Sequence, residues 1–203
     1  MKSGVCLLFA ALLIGGCAST PESRFYRLGE GPAATAAQST EVSLALGPIG
    51  LPQYLDRPQI VSRGGDSRLN VDEFNRWGGA LDEEIERVLV AQLGRRLGTA
   101  RIYRYPSRIV AATDYRVALE IRSFDGPLGG SLTLDLAWSL IDERSADVVE
   151  VRRAEYTEPS ARPDYDAYAA SLGRLLARLS DDIAAAVRDA VEGAKKNPPR
   201  SDG

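Results

Sequence analysis

The chain has 203 residues and a mass of 21.9 kDa, 44% hydrophobic and 26% charged residues, and a net charge of −3, values that describe one soluble domain with appendages and exclude a multi-span membrane protein. An acidic balance leaves no chain-wide positive field for nucleic-acid phosphates, so no nucleic-acid partner is expected. With no histidine and only two cysteines, both near the N-terminus, the sequence lacks the usual general base, the commonest metal ligand and the means to staple a fold, so no enzyme, metal site or cofactor is expected.

Residues 1–16 read as a signal peptide: Lys2 precedes the apolar run Val5–Ile14, which is too short to span a bilayer and suits an h-region. It ends in Ile14-Gly15-Gly16-Cys17, which resembles the bacterial lipobox, with Cys17 as the acylated residue; the alternative is an ordinary secretory signal with an incidental cysteine. Cleavage before Cys17 removes Lys2 and Cys6 and takes the net charge from −3 to −4. Acyl chains on Cys17 anchor the protein to a membrane without crossing it. Ala18, where an Asp directs retention at the inner membrane of many Gram-negative bacteria, implies the periplasmic face of the outer membrane.

Residues 17–40 form the lipidated N-terminus, a brief strand at Phe25-Tyr26-Arg27-Leu28, and a flexible linker from Gly29 to Thr40. The main domain spans 41–193. Val42, Leu44 and Leu46 mark a half-buried strand interrupted at Gly47-Pro48, Arg57–Arg63 a second, and Arg68–Asp72 pairs back as a hairpin. Trp77, Leu81, Ile85, Val88, Leu89, Leu93 and Leu97 recur at helical spacing, predicting a helix over 78–97 with Gly98 as its stop. Its acidic start (Asp82, Glu83, Glu84, Glu86) reads as a solvated first turn, and Arg95 and Arg96 complement the macrodipole.

Three alternating segments follow, around Tyr115–Ile121, Leu132–Leu140 and Val149–Val151, the last two valines continuing the buried pattern. Turn-rich breaks at 126–130 and 142–145 predict an antiparallel meander. The glycines at 126–130 lack a following helix and a Walker lysine, so they read as a hairpin loop and not a phosphate cradle. A second amphipathic helix is predicted over 165–191, and residues 194–203 as a disordered tail. The expected fold class is α+β: a mostly antiparallel sheet packed on two amphipathic helices.

The run Pro52-Gln53-Tyr54-Leu55-Asp56-Arg57-Pro58-Gln59-Ile60-Val61-Ser62-Arg63 resembles the signature of the PqiC/YmbA family, the ABC-type transport auxiliary lipoprotein components. Phe74-Asn75-Arg76-Trp77, Tyr105-Pro106 and Phe124-Asp125 continue the likeness; Gly78-Gly79 departs from it and weakens the helix start. The resemblance implies an outer-membrane lipoprotein of an intermembrane lipid transport system, with an MCE-domain protein of the same system as partner. A tube-shaped partner has a rotational axis, so a small domain caps it by forming a homo-oligomeric ring. Tyr54, Leu55, Asp56, Arg57 and Gln59 are the candidate contact residues, and the same residues read equally as fixing a turn and a strand edge. Two other readings stay open: a generic envelope adaptor of the secretin or Tol-Pal kind, and a periplasmic hydrolase using carboxylates such as Asp72 with Glu73.

Overall fold

A computed structural model describes residues 21–32, 39–65, 67–106 and 112–196. Cys17, the signal peptide and the last seven residues of the tail lie outside them.

Strand β1 (Arg24–Tyr26) is followed by β2 (Leu44–Gly50), the hairpin β3 (Gln59–Arg63) and β4 (Leu69–Trp77), helix α1 (Leu81–Leu97) and β5 (Ile102–Arg104). The long meander β6 (Tyr115–Asp125), β7 (Ser131–Asp142) and β8 (Val148–Pro159) leads into helix α2 (Tyr165–Lys196). The class is α+β as expected, but the strands make two sheets. A five-stranded sheet runs β5-β2-β6-β7-β8, with β2 parallel to both neighbours and the meander antiparallel, and a three-stranded sheet runs β1-β4-β3. The split arises at Leu51–Pro58, where Pro52 and Pro58 bracket a turn closed by Leu55 N–H to the Pro52 carbonyl at 2.9 Å. Proline lacks an amide donor, so this stretch cannot extend the ladder of β2 and delivers β3 to a different partner.

Both helices cover one face of the large sheet. Ile85, Leu89, Leu172 and Leu179 are fully buried, as are Val117, Leu134, Leu136 and Leu140 from the sheet, so the predicted stripes meet the predicted strand faces in one core. Trp77 and Trp138 are core residues, as expected. Helix α1 starts at Leu81, three residues later than predicted, because Gly78-Gly79 precede it; it stops at Gly98, whose φ of 61° is the left-handed conformation that ends a helix and whose amide reaches the Gly94 carbonyl. Asp164 caps α2 by accepting the Ala167 amide at 2.7 Å. The helix runs to Lys196, past the predicted end at 191 and into the segment read as tail.

Several expectations are corrected. Strand β2 passes through Gly47-Pro48 with a register shift, and Val42 to Gly47 are all buried, β2 lying between β5 and β6 inside the large sheet. The short strand β5 was not anticipated. Val149 and Val151 are exposed: Val151 pairs with Ser139 on the sheet face opposite the helices, while Arg152 and Tyr156 take the inner parity. The first residues of the supposed linker are packed, with Gly29 N–H donating to the Ala169 carbonyl at 3.3 Å and Gln92 holding the Glu30 and Pro32 carbonyls. Residues 24–32 therefore form a strap laid across α1 and α2.

The polar ends of α1 are also less solvated than expected. Glu84 is buried, accepting hydrogen bonds from the Leu28 amide at 3.1 Å, Arg87 at 2.8 Å and Arg27 at 3.3 Å. Arg96 is buried too, bridging to α2 through Asp181 at 2.6 Å and the Ala177 carbonyl at 3.0 Å. Burial alone would raise the Glu84 carboxyl, but the donors from Arg87, Leu28 and Arg27 outweigh it and hold it below its ordinary 4.5. A depressed folded-state value means that Glu84 contributes stability above pH 4.5, lost as pH falls through the folded value. Glu84→Gln is expected to cost about 1–3 kcal/mol near neutrality. The gap from wild type should narrow below pH 4.5 in thermal melts across pH 3–7; a gap that does not change with pH would refute the assignment.

Candidate docking site

The signature run forms the turn between the two sheets, and its side chains divide into inward and outward sets. Leu55 is buried in the core. The Tyr54 hydroxyl donates to one carboxylate oxygen of Asp125, at the end of β6, and Arg63 Nε donates to the other. Arg63 also anchors its backbone, its amide donating to the Gly126 carbonyl at 2.9 Å. Asp125 is 1% exposed, and both its oxygens are thus engaged by the signature. Burial, reinforced by the hydrogen bond to Asp125, pushes the Tyr54 phenol well above its ordinary range, so it stays a donor at any physiological pH. Nearby, the buried Tyr168 hydroxyl donates to the Val61 carbonyl at 2.8 Å, tying α2 to β3.

Asp56 and Arg57 point the other way. Both are exposed, at the tip of a turn fixed by Arg57 N–H to the Leu55 carbonyl at 2.8 Å and by Trp77 N–H to the Pro58 carbonyl at 2.8 Å. They border a shallow cleft of about 380 Å³ whose floor includes Trp77, Gly78 and Leu81. Gln59 is partly buried and donates to Glu73 at 3.2 Å. Of the five candidate contact residues, Tyr54, Leu55 and Gln59 are held by the fold and present the other two. Arg63 and Asp125 complete that brace; they belong to separate sequence motifs, and nothing in their spacing reports that they meet.

The carboxylates considered for hydrolysis serve other contacts. Asp72 accepts the amides of Phe74 and Asn75, each at 2.9 Å, and the Tyr165 hydroxyl at 2.9 Å. Burial opposes its ionisation, but these donors prevail and keep it below the usual range. Glu73 binds Gln59 and Arg76 instead, so the pair does not converge on a common substrate position. The larger cleft, about 690 Å³, lies at the far end of α2 between Arg101, Asp114, Arg144 and Lys195. Its central carboxylate, Asp114, is taken up by Ser43 N–H and Oγ at 2.8 and 2.7 Å and by Arg144 at 2.7 Å. Among the described residues no three His, Cys, Asp or Glu side chains are grouped to hold a metal, and no helix is long and apolar enough to cross a membrane.

A five-stranded sheet covered on one face by two helices, with a small sheet set beside it, is an architecture already seen in solved proteins. A Xanthomonas campestris protein superposes with a TM-score of 0.68 at 18% identity, covering 84% of this chain and 99% of its own. A second solved protein, described only as uncharacterized, gives the same TM-score and identity over 82% of this chain and 99% of its own. At 12% identity a PelC dodecamer from Paraburkholderia phytofirmans matches with a TM-score of 0.42 over 77% of this chain and 94% of its own. A search of curated proteins finds no match. The chain belongs to the ABC-type transport auxiliary lipoprotein component family, whose model matches residues 26–184.

Proposed function

We propose that the protein is the outer-membrane lipoprotein of an MCE-type intermembrane lipid transport system, anchored through Cys17 and docking the periplasmic MCE-domain protein with the Asp56-Arg57 tip. Membership of a transport auxiliary lipoprotein family supports the role. The observation that carries the site is the division of the signature: three of its side chains are spent on holding the turn, and the acid and base they present are exposed over a cleft floored by Trp77. An exposed arginine beside a partly apolar recess suits a protein partner. The domain repeats around the tube axis as a closed ring, through heterologous contacts.

Two variants of the full chain test this. Cys17→Ser is expected to leave a folded protein that osmotic shock releases from the envelope, since the lipid chains supply the membrane affinity. Arg57→Glu is expected to remain lipidated and folded while its capture of the MCE-domain protein of the same gene cluster falls roughly tenfold, about the loss of one interface anchor. Light-scattering mass reads the ring in the same samples. Undiminished capture by Arg57→Glu would move the contact elsewhere, and no capture by wild type would leave the generic adaptor.

A further inference from the structure

The small sheet carries half of the exposed large apolar side chains of the described residues: Phe25, Leu69, Val71 and Phe74. Phe25 on β1 is 68% exposed and lies opposite Arg76 in the β1–β4 register. Phe74 is 37% exposed and lines a cleft with Pro21, Arg24 and Asn75. Two solvent-exposed phenylalanines on one small sheet are a cost to a domain in water, and basic side chains lie near them: Arg24 in the cleft with Phe74, Arg76 across the register from Phe25, and Arg27, which also reaches Glu84. Glu22, Asp72 and Glu73 are the acids nearby; Asp72 is engaged by Tyr165 and by the Phe74 and Asn75 amides, and Glu73 by Arg76 and Gln59.

Chain length says what meets this face. β1 begins at Arg24, seven residues after Cys17, and seven residues reach at most about 25 Å in any conformation. The small sheet lies at the N-terminal end of α2, where Tyr165 packs on Tyr26 at 5.8 Å and hydrogen-bonds Asp72; the opposite end of this helix of 32 residues is about 48 Å away. The short tether therefore keeps Phe25 and Phe74 at high effective concentration against lipid, so that even weak insertion is populated, and seating by the small sheet would leave the far end of α2 well away from the leaflet.

We propose that the face of the small sheet around Phe25 and Phe74 seats on the leaflet that holds the anchor, the two rings entering the headgroup region and Arg24 meeting lipid phosphates. The proposal rests on lipidation at Cys17, and its test separates the two. The mature chain carries no free thiol once Cys17 is acylated, so Phe25→Cys, Phe74→Cys and, at the far end of α2, Lys195→Cys each take a single environment-sensitive fluorophore. The labelled, lipidated full chains are mixed with phosphatidylethanolamine–phosphatidylglycerol vesicles with and without doxyl-labelled lipid. Labels at 25 and 74 are expected to shift to the blue and to be quenched at least about twofold, and the label at 195 to do neither. Sedimentation with vesicles while 25 and 74 behave like 195 would overturn the seating and leave the anchor standing, including the case in which another protein or a second copy covers the rings. Failure to sediment would overturn both.

Discussion

Replacing Asp125 with Ala is expected to destabilise the domain by about 2–3 kcal/mol and to abolish the docking proposed for the signature turn. The substitution strands two donors, the Tyr54 hydroxyl and the Arg63 guanidinium, that now share one buried carboxylate. Removing one member of a fully buried ion pair costs about 3–5 kcal/mol, but the Arg63 side chain is 44% exposed and recovers water, which places the cost lower. Tyr54→Phe removes one donor and should cost about 1 kcal/mol. The double variant should cost less than the sum, because the phenylalanine leaves no hydroxyl unsatisfied when the carboxylate is gone. Urea denaturation of the four proteins reads this cycle; strictly additive costs would show that the two residues are not coupled through Asp125.

Gly173→Ala is the second large effect, expected at about 1–3 kcal/mol, with a fall in Tm of roughly 2–4 °C per kcal/mol. A β-carbon at 173 would lie 2.0 Å from the Gly29 carbonyl oxygen, and the obstacle is backbone, which cannot swing aside as a flexible side chain does. The strap must lift, breaking the Gly29 contact with α2 and loosening the Glu84 clasp on Leu28. Trypsin should then cut faster at Arg27. Gly193→Ala is the control on the same helix: nothing lies within 4 Å of its added carbon, so it should be neutral or slightly stabilising. Equal melting temperatures for the two variants would show that the strap does not seat on Gly173.

Periodicity made the two helices and the meander readable, because stripes at Ile85 and Leu89, at Leu172 and Leu179, and alternation from Leu132 to Leu140 record which side of each element meets a core. Alternation gives the period of a strand and not which parity is inward, so Val151 reads as buried but faces outward, while Val149 falls at the register shift between Leu140 and Ile141. Pairing partners were hidden by distance along the chain: β1 joins β4 through residues such as Tyr26 and Trp77, and no local pattern reports that a parallel partner lies so far away. The same holds for the site. Tyr54, Arg63 and Asp125 stood in legible motifs, but the brace they form spans 62 to 71 positions and exists only once the turn at Leu51–Pro58 has parted the two sheets. Glu84 reads as part of a solvated first turn and Arg96 as a complement to the macrodipole, because charge order near a terminus satisfies the macrodipole whether or not another helix or strap packs over it.

The strap also settles how the molecule bears mechanical load. Tension applied through a tether N-terminal to Arg24 enters at β1, whose three register pairs with β4 are few. It passes next to the Leu28–Glu84 clasp and the lodging of Gly29 on α2 before any of it reaches the five-stranded sheet. Pulling on the tether therefore strips the strap from the outside inward, while the long meander, with its ladders of β6 on β7 and β7 on β8, stays unloaded until the strap has gone. The weakest link under tension is a peripheral segment, which can give and reseat without the core coming apart.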